Sequence, residues 1–343
     1  MKAARLHAKN DLRVETVAEP AVGAGEALVK VRASLICGTD VRMLANGAKV
    51  LPITLGHELA GVVEEIAADV RGVTRGTAVA VAPNYGCGTC DACVAGETHH
   101  CPDLRAIGIH DDGGFAEYVR VPARAVAQGN LCPIPEGLSF AEAALVEPFS
   151  CVYASFERAR LQPGDAVLII GAGPIGVLHA KLYRMAGAGL VMLHDLNEER
   201  LAVAQREDPS FVLVGPGRPK EQVYELTGGR GADVVVTAAS SAATQQLAFQ
   251  VPARDARVIF FGGLPAGKET VPLDTNVIHY KQITVTGTTR QSLAQYRRCL
   301  RLLAGGRLSV RSIVTGVHAL EDAPAAFAAA ARGEGLKSGF VLA

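Results

Sequence analysis

The chain has 343 residues, 49% hydrophobic and 20% charged, which suits a globular protein with enough core to fold without disulfide staples. Lys+Arg and Asp+Glu balance at 34 each, so there is no basic footprint for nucleic acid and no polybasic patch for a membrane surface. The first seven residues lack the apolar run of an export signal, and the most apolar stretch, 166–180, is short and broken by Gly171, Gly173, Pro174 and Gly176. The expectation is a soluble, cytoplasmic protein with neither a nucleic-acid nor a membrane partner.

This length predicts two domains. Over 27–33, Val29, Val31 and Ala33 alternate with Lys30 and Arg32, the period of a half-buried strand. Segments 61–67 and 78–82 are similarly β-like, with Gly72 and Gly76 between them. The texture changes at Gln162-Pro163-Gly164-Asp165, a turn signal that leads into the continuous apolar run 166–170. Such a run suits a strand buried on both faces of a parallel sheet. Helix is predicted over 174–186 and 197–205, strand over 189–194, 233–238 and 257–261, and helix again over 294–304 and the Ala-rich 323–332. Alternating strands and helices predict an α/β, doubly wound parallel sheet. The expected division is 1–149, with a cysteine lobe at about 86–102, then the α/β domain over 150–286, then 287–343 packing back onto the first segment.

Gly171-Ala172-Gly173-Pro174-Ile175-Gly176 is a GxGxxG, a weak signal alone because glycines are common in turns. Here it follows a buried strand and opens a helix, and Asp195 ends the next strand 19 residues after Gly176. That context predicts a dinucleotide site, with Gly171 for the turn, Gly173 for close approach of a pyrophosphate and Gly176 for helix–sheet packing. The helix N-terminus, opening with Pro174 and Ile175, offers N–H groups to the phosphates. Asp195 would accept adenosine ribose hydroxyls and repel a 2′-phosphate, favouring NAD over NADP. Arg200 would cover the adenine or pair with Asp195.

Of eight cysteines, four crowd into fifteen residues: Cys87, Cys90, Cys93 and Cys101, as C-x2-C-x2-C-x7-C. Without an export signal such a cluster reads as metal-binding rather than disulfide-bonded. Four thiolates with no open position describe a structural zinc site. An iron–sulfur cluster is the rival, disfavoured by the spacing of the fourth cysteine and the lack of a second set.

Cys37-Gly38-Thr39-Asp40 and Gly56-His57-Glu58 prove nothing separately, since a lone Cys or His is more often a packed core residue. Together with the cysteine lobe, Gly114-Phe115-Ala116-Glu117-Tyr118, Glu147-Pro148, the GxGxxG, and Asp195 with Arg200, they occur in the order found in one family. The chain resembles the zinc-containing medium-chain dehydrogenases, and among them the polyol or sorbitol dehydrogenase branch, over nearly its whole length. The resemblance implies a GroES-like, mostly β catalytic domain beside a Rossmann domain. It implies a catalytic zinc on Cys37, His57 and Glu58, with Glu147 beside the metal and able to replace a ligand in some states. Thr39 would hydrogen-bond the reacting oxygen, Gly263 and Leu264 would pass near nicotinamide, and Arg290 would contact substrate or cofactor. The implied reaction exchanges hydride between NAD and a secondary alcohol of a polyol, sugar, sugar phosphate or cyclitol. The implied cofactors are NAD and two zinc ions per chain, one catalytic and one structural.

Two positions depart from the family. Relatives commonly carry a histidine proton relay three residues after the Thr or Ser, where this chain has Arg42. Arginine stays protonated at working pH and cannot be a relay base; it would instead meet an anionic or hydroxyl-rich substrate, or equally be a surface or phosphate-contacting arginine. The next residue, often Tyr in sorbitol dehydrogenases, is Met43. A simple alcohol dehydrogenase is the runner-up; zinc-free enone or quinone reduction on the same fold and a non-catalytic NAD-binding sensor or structural protein are further alternatives. The resemblance also implies a homo-oligomer, dimer or tetramer, for which an apolar β-edge near 271–278 is the expected surface.

Overall fold

The computed structural model describes every residue from Met1 to Ala343. Two compact units emerge: Met1–Ser150 with Gln291–Ala343, and Cys151–Arg290. No helix is long and apolar enough to cross a membrane.

The first unit is built on a mostly antiparallel sheet. Its strands run in the order Leu131–Pro133, Ala78–Val81, Glu58–Ile66, Ala27–Leu35, Lys337–Val341 and Val314–His318, and Tyr118–Val121 also pairs with Ala27–Leu35. The alternation legible at 27–33 becomes a core in which Val29 and Val31 pack with Leu59, Val63, Val79 and Val81. Register decides what meets at one end of this sheet. Leu35 lies opposite Glu58 on one side and opposite Gly339 on the other. Chain leaving Leu35 therefore enters Cys37 between the start of the Glu58 strand and the start of the Lys337 strand. Helix Gly38–Asn46 begins there, with Cys37 as its N-cap.

The second unit is a six-stranded, wholly parallel sheet in the order Val212–Val214, Leu190–His194, Ala166–Ile170, Ala232–Thr237, Pro252–Phe260, Thr284–Gly287. The order reverses between Ala166–Ile170 and Ala232–Thr237, the switch point where open α/β sheets bind ligands beyond their carboxyl ends. Every residue of Ala166–Ile170 is buried, as its unbroken apolar run requires. Helix Pro174–Met185 follows, with Pro174 at its start, where a missing N–H costs nothing. A Cβ on Gly176 would lie 1.8 Å from the carbonyl oxygen of Gly171, so only glycine allows the helix this close to the turn.

One expectation fails. Residues 271–275 form no strand and Asn276–Lys281 is a helix; the edge strand is Thr284–Gly287. Pro272 removes a ladder donor inside that apolar segment, and Asp274 accepts from the N–H of Asn276 in a local turn.

Helix Pro174–Met185 buries His179 completely, stacked on Tyr183 and edge-on to Phe261. Neither ring nitrogen has a hydrogen-bond partner, and burial lowers the imidazole pKa to about 3. His179 is therefore neutral in the folded state, while the unfolded chain binds a proton near its ordinary value of about 6.5. Stability from this group is fully present above that value and falls as pH drops towards the folded value, by about 1.4 kcal/mol per pH unit. Denaturant unfolding between about pH 4.5 and 5.5 should show a slope shallower by about one proton in His179→Leu than in the parent.

Candidate active site

Three side chains meet at the sheet end that register defines. The ligand atoms of Cys37, His57 and Glu58 all lie within 4.8 Å of one another, with Cys37 half-buried and the other two buried. Glu58 has no solvent exposure at all. Its Oε1 accepts from the Lys337 ammonium at 2.6 Å, in a salt bridge whose two side chains are almost wholly buried. Its Oε2 is buried without any hydrogen-bond partner. A buried carboxylate oxygen left empty is costly unless a cation uses it. Burial drives the Glu58 pKa up, while the charge of Lys337 pulls it back. For Lys337 burial opposes the charge, but Glu58 outweighs it and the ammonium pKa is raised.

His57 presents Nδ1 to Asp40 Oδ1 at 3.3 Å. Asp40 is itself fully buried, and its Oδ2 accepts from the Cys37 N–H at 2.8 Å. The contact is electrostatic, since neither atom makes a hydrogen bond, and a carboxylate on this side of the ring favours Nε2 for a metal. Burial resists charge on His57, yet Asp40 and Cys37 outweigh it and hold the imidazole pKa well above its ordinary value. The pocket is electrostatically arranged to take a cation. Thiolate, imidazole and carboxylate form a three-ligand set that suits zinc with one position open.

Glu147 stands outside that trio. It is buried on the first turn of helix Val146–Ala159 and accepts from Gln291 Nε2 at 3.2 Å through Oε1. Thr39 is half-buried in helix Gly38–Asn46, and its Oγ1 accepts from Arg42 Nη2 at 2.9 Å. Arg290 is exposed, with left-handed backbone at φ 60°, and is the last residue of the second unit.

The cysteine lobe converges too. Cys87, Cys90, Cys93 and Cys101 place all four sulfurs within 4.8 Å of each other, with Cys87–Cys93 at 4.0 Å and Cys90–Cys101 at 3.7 Å. A tetrahedral zinc with Zn–S of about 2.3 Å would separate its sulfurs by about 3.8 Å. This matches one ion; an iron–sulfur cluster would spread the thiolates over separate irons. The N–H groups of Thr89 and Cys90 donate to the Cys87 sulfur and lower its pKa to about 6. Desolvation lifts Cys93 to about 12 despite a bond from the Gly88 backbone, and the neighbouring thiols add to the rise. Crowded thiolates of this kind need a cation among them. A Cβ on Gly86 would fall 2.4 Å from the Cys93 sulfur, so glycine is what lets the loop close.

In the second unit, Gly171 takes a left-handed φ of 117° and Gly173 caps the helix, with nothing within 4 Å of a Cβ built there. The first helical turn, with Pro174, Ile175 and Gly176, leaves N–H groups without intrahelical acceptors. Asp195 is held by two backbone donors, Ala172 N–H at 2.8 Å and Asn197 N–H at 2.9 Å. Arg200 makes no ion pair with Asp195; its N–H donates to Asn197 Oδ1, which caps the helix. Gly263 and Leu264 lie in the loop after Pro252–Phe260, Gly263 exposed and with open space around its Cα.

Sequence reasoning missed Asp40, Lys337 and Gln291 as members of the site. Asp40 carried a signal, since it lies three residues past an N-cap position. Lys337 and Gln291 carried none, because only strand register and tertiary packing bring them to Glu58 and Glu147.

Residues 23–135 match the family described as "Alcohol dehydrogenase GroES-like domain", and 174–305 the family "Zinc-binding dehydrogenase". The sorbitol dehydrogenase of Bacillus subtilis is 32% identical over 94% of this chain and 91% of its own length. The 2-dehydro-3-deoxy-L-galactonate 5-dehydrogenase of Pseudoalteromonas atlantica is 31% identical over 89% and 88%. Among solved structures, a protein of Sinorhizobium meliloti described as a zinc-binding dehydrogenase, bound to NADP, superposes with a TM-score of 0.90 at 32% identity, covering 99% of both chains. NAD and zinc are the typical cofactors of this family. Similarity of this extent decides membership: the chain belongs to the zinc-dependent medium-chain dehydrogenases, in their polyol-dehydrogenase-like branch.

Proposed function

We propose that this protein oxidises a secondary alcohol of a polyol, sugar or related compound to the ketone, or reduces that ketone, with Cys37, His57 and Glu58 holding the catalytic zinc. The observation that carries this reading is the unpartnered, fully buried Oε2 of Glu58 beside a thiol and an imidazole. Bound zinc supplies the Lewis acidity that makes an alcohol easier to deprotonate, and bound NAD takes up the hydride.

The chain's own residues do the rest. Asp40 faces the ring of His57 with a negative charge, and Lys337 holds Glu58 in place and favours its ionised form against burial. Arg42 uses one lone pair of Thr39 Oγ1, which leaves the other to accept from the reacting hydroxyl while the Thr39 O–H donates onward to water. Arg42 cannot accept a proton, so the proton released from the substrate moves through Thr39 to water. Glu147, held by Gln291, is assigned a place beside the metal. Arg290 is assigned a contact with substrate or cofactor. Cys87, Cys90, Cys93 and Cys101 hold a second, structural zinc.

The GxGxxG turn with Pro174 and Ile175 receives the pyrophosphate, and Asp195 the ribose hydroxyls, which favours NAD over NADP. Arg200 covers the adenine, and Gly263 with Leu264 borders the nicotinamide. We also place the enzyme in the cytoplasm, where its eight cysteines, none of them in a disulfide, stay reduced. A homo-oligomer, dimer or tetramer, is supported by edge strand Thr284–Gly287 and the exposed Ile278 and Tyr280 nearby in sequence.

Turnover of polyols and cyclitols with NAD should fall at least about 1,000-fold in Cys37→Ala and Glu58→Ala, as expected when electrostatic stabilisation at the reacting centre is lost. Metal analysis should show the cysteine-lobe zinc retained; full activity in both variants would remove the assignment. Lys337→Met should leave Glu58 as an uncompensated buried charge, costing about 3–5 kcal/mol in unfolding experiments on metal-free protein, with Lys337→Arg restoring most of it. Asp195→Ser should raise kcat/KM with NADP relative to NAD by about tenfold or more, one charge repulsion being removed.

A further inference from the structure

The cation that the reaction does not use is Arg42. Its Nη2 donates to Thr39 Oγ1 at 2.9 Å, and its Nη1 lies 3.6 Å from where a Cβ on Gly38 would stand. The guanidinium thus folds back over the first turn of helix Gly38–Asn46, next to Cys37 in the chain. It is exposed and forms no salt bridge. The nearby carboxylates are committed elsewhere: Asp40 to the Cys37 N–H and to His57, Glu58 to Lys337. The guanidinium is thus engaged by Thr39 alone and keeps its remaining donors free of any fixed carboxylate, which suits an incoming anion. Nothing in the chain supplies that anion.

We propose that the substrate supplies it: Arg42 is a specificity residue that selects secondary alcohols bearing an oxyanion, foremost the carboxylate of a sugar acid. One guanidinium edge is engaged by Thr39. The remaining N–H groups form a planar fork that a carboxylate fills with two parallel bonds, whereas an alcohol hydroxyl uses only one. The same contact ties substrate charge to the hydroxyl of Thr39, so recognition and proton handling share one hydrogen bond. This inference rests on the dehydrogenase reading and narrows its substrate class.

The test is equilibrium binding by calorimetry on the zinc-loaded protein, so that no turnover is needed. The probes are matched pairs: gluconate with sorbitol, galactonate with galactitol, and sorbitol 6-phosphate to distinguish phosphate from carboxylate. At least one charged probe should bind about tenfold more tightly than its neutral partner, with an advantage that shrinks as salt rises. Arg42→Gln should abolish the advantage, Arg42→Lys should keep part of it, and the Kd for NAD should stay within about twofold in both. Equal binding of charged and neutral partners, no binding by any charged probe, or a preference that survives in Arg42→Gln would overturn the proposal. So would a loss confined to NAD affinity, which would assign Arg42 to the cofactor. Activity retained in Cys37→Ala would instead sink the underlying zinc reading, whatever Arg42 does.

Discussion

A carboxylate with no access to water controls this molecule. Glu58 sits wholly inside the first unit with one oxygen tied to Lys337 and the other tied to nothing. Ionised carboxylates are tolerated inside proteins only when paired or when coordinating a metal. Lys337 answers for one charge and one oxygen. The second oxygen, the Cys37 thiol and the Asp40-backed imidazole of His57 together ask for a divalent cation. The chemistry assigned to the enzyme follows from that demand, because an ion held by only three protein ligands keeps a position for an alcohol.

The scaffold explains why such a costly arrangement is sustained. Strand Ala27–Leu35 is central to its sheet, paired on both sides, and its register fixes where Cys37, Glu58 and Lys337 stand. Sites carried on strands are placed more firmly than sites carried on loops. The cysteine lobe is a separate device: four sulfurs in one short loop, at spacings fitting a single tetrahedral ion and a closed coordination shell. In the proposed reading it holds a structural ion and takes no part in the reaction. The second unit is simpler still, a parallel sheet with its glycine turn at the strand-order reversal.

What the sequence disclosed was whatever is encoded locally. The strand–turn–helix at 166–185 is written in consecutive residues, and both the burial of Ala166–Ile170 and the steric need for Gly176 appear as expected. The cysteine lobe is equally local. The half-buried strand at 27–33 was legible from alternation, although it continues to Leu35, two residues that matter because they deliver Cys37. Lys337 was invisible, since a single lysine beside Leu336 has no pattern until the strand is laid antiparallel to Ala27–Leu35. Segment 271–278 misled for the opposite reason: its apolar residues suggested an edge strand, but Pro272 and the Asp274 turn made a helix of its second half. Arg42 was readable as a departure from the family, but its bond to Thr39 needed coordinates.

The most direct measurement is anomalous diffraction at the zinc edge from crystals of the fully metallated protein. The account predicts two peaks per chain, one among the sulfurs of Cys87, Cys90, Cys93 and Cys101. The other should lie about 2.0–2.3 Å from Cys37 Sγ, His57 Nε2 and Glu58 Oε2. A single peak in the cysteine lobe, with Glu58 Oε2 still facing no cation, would contradict it.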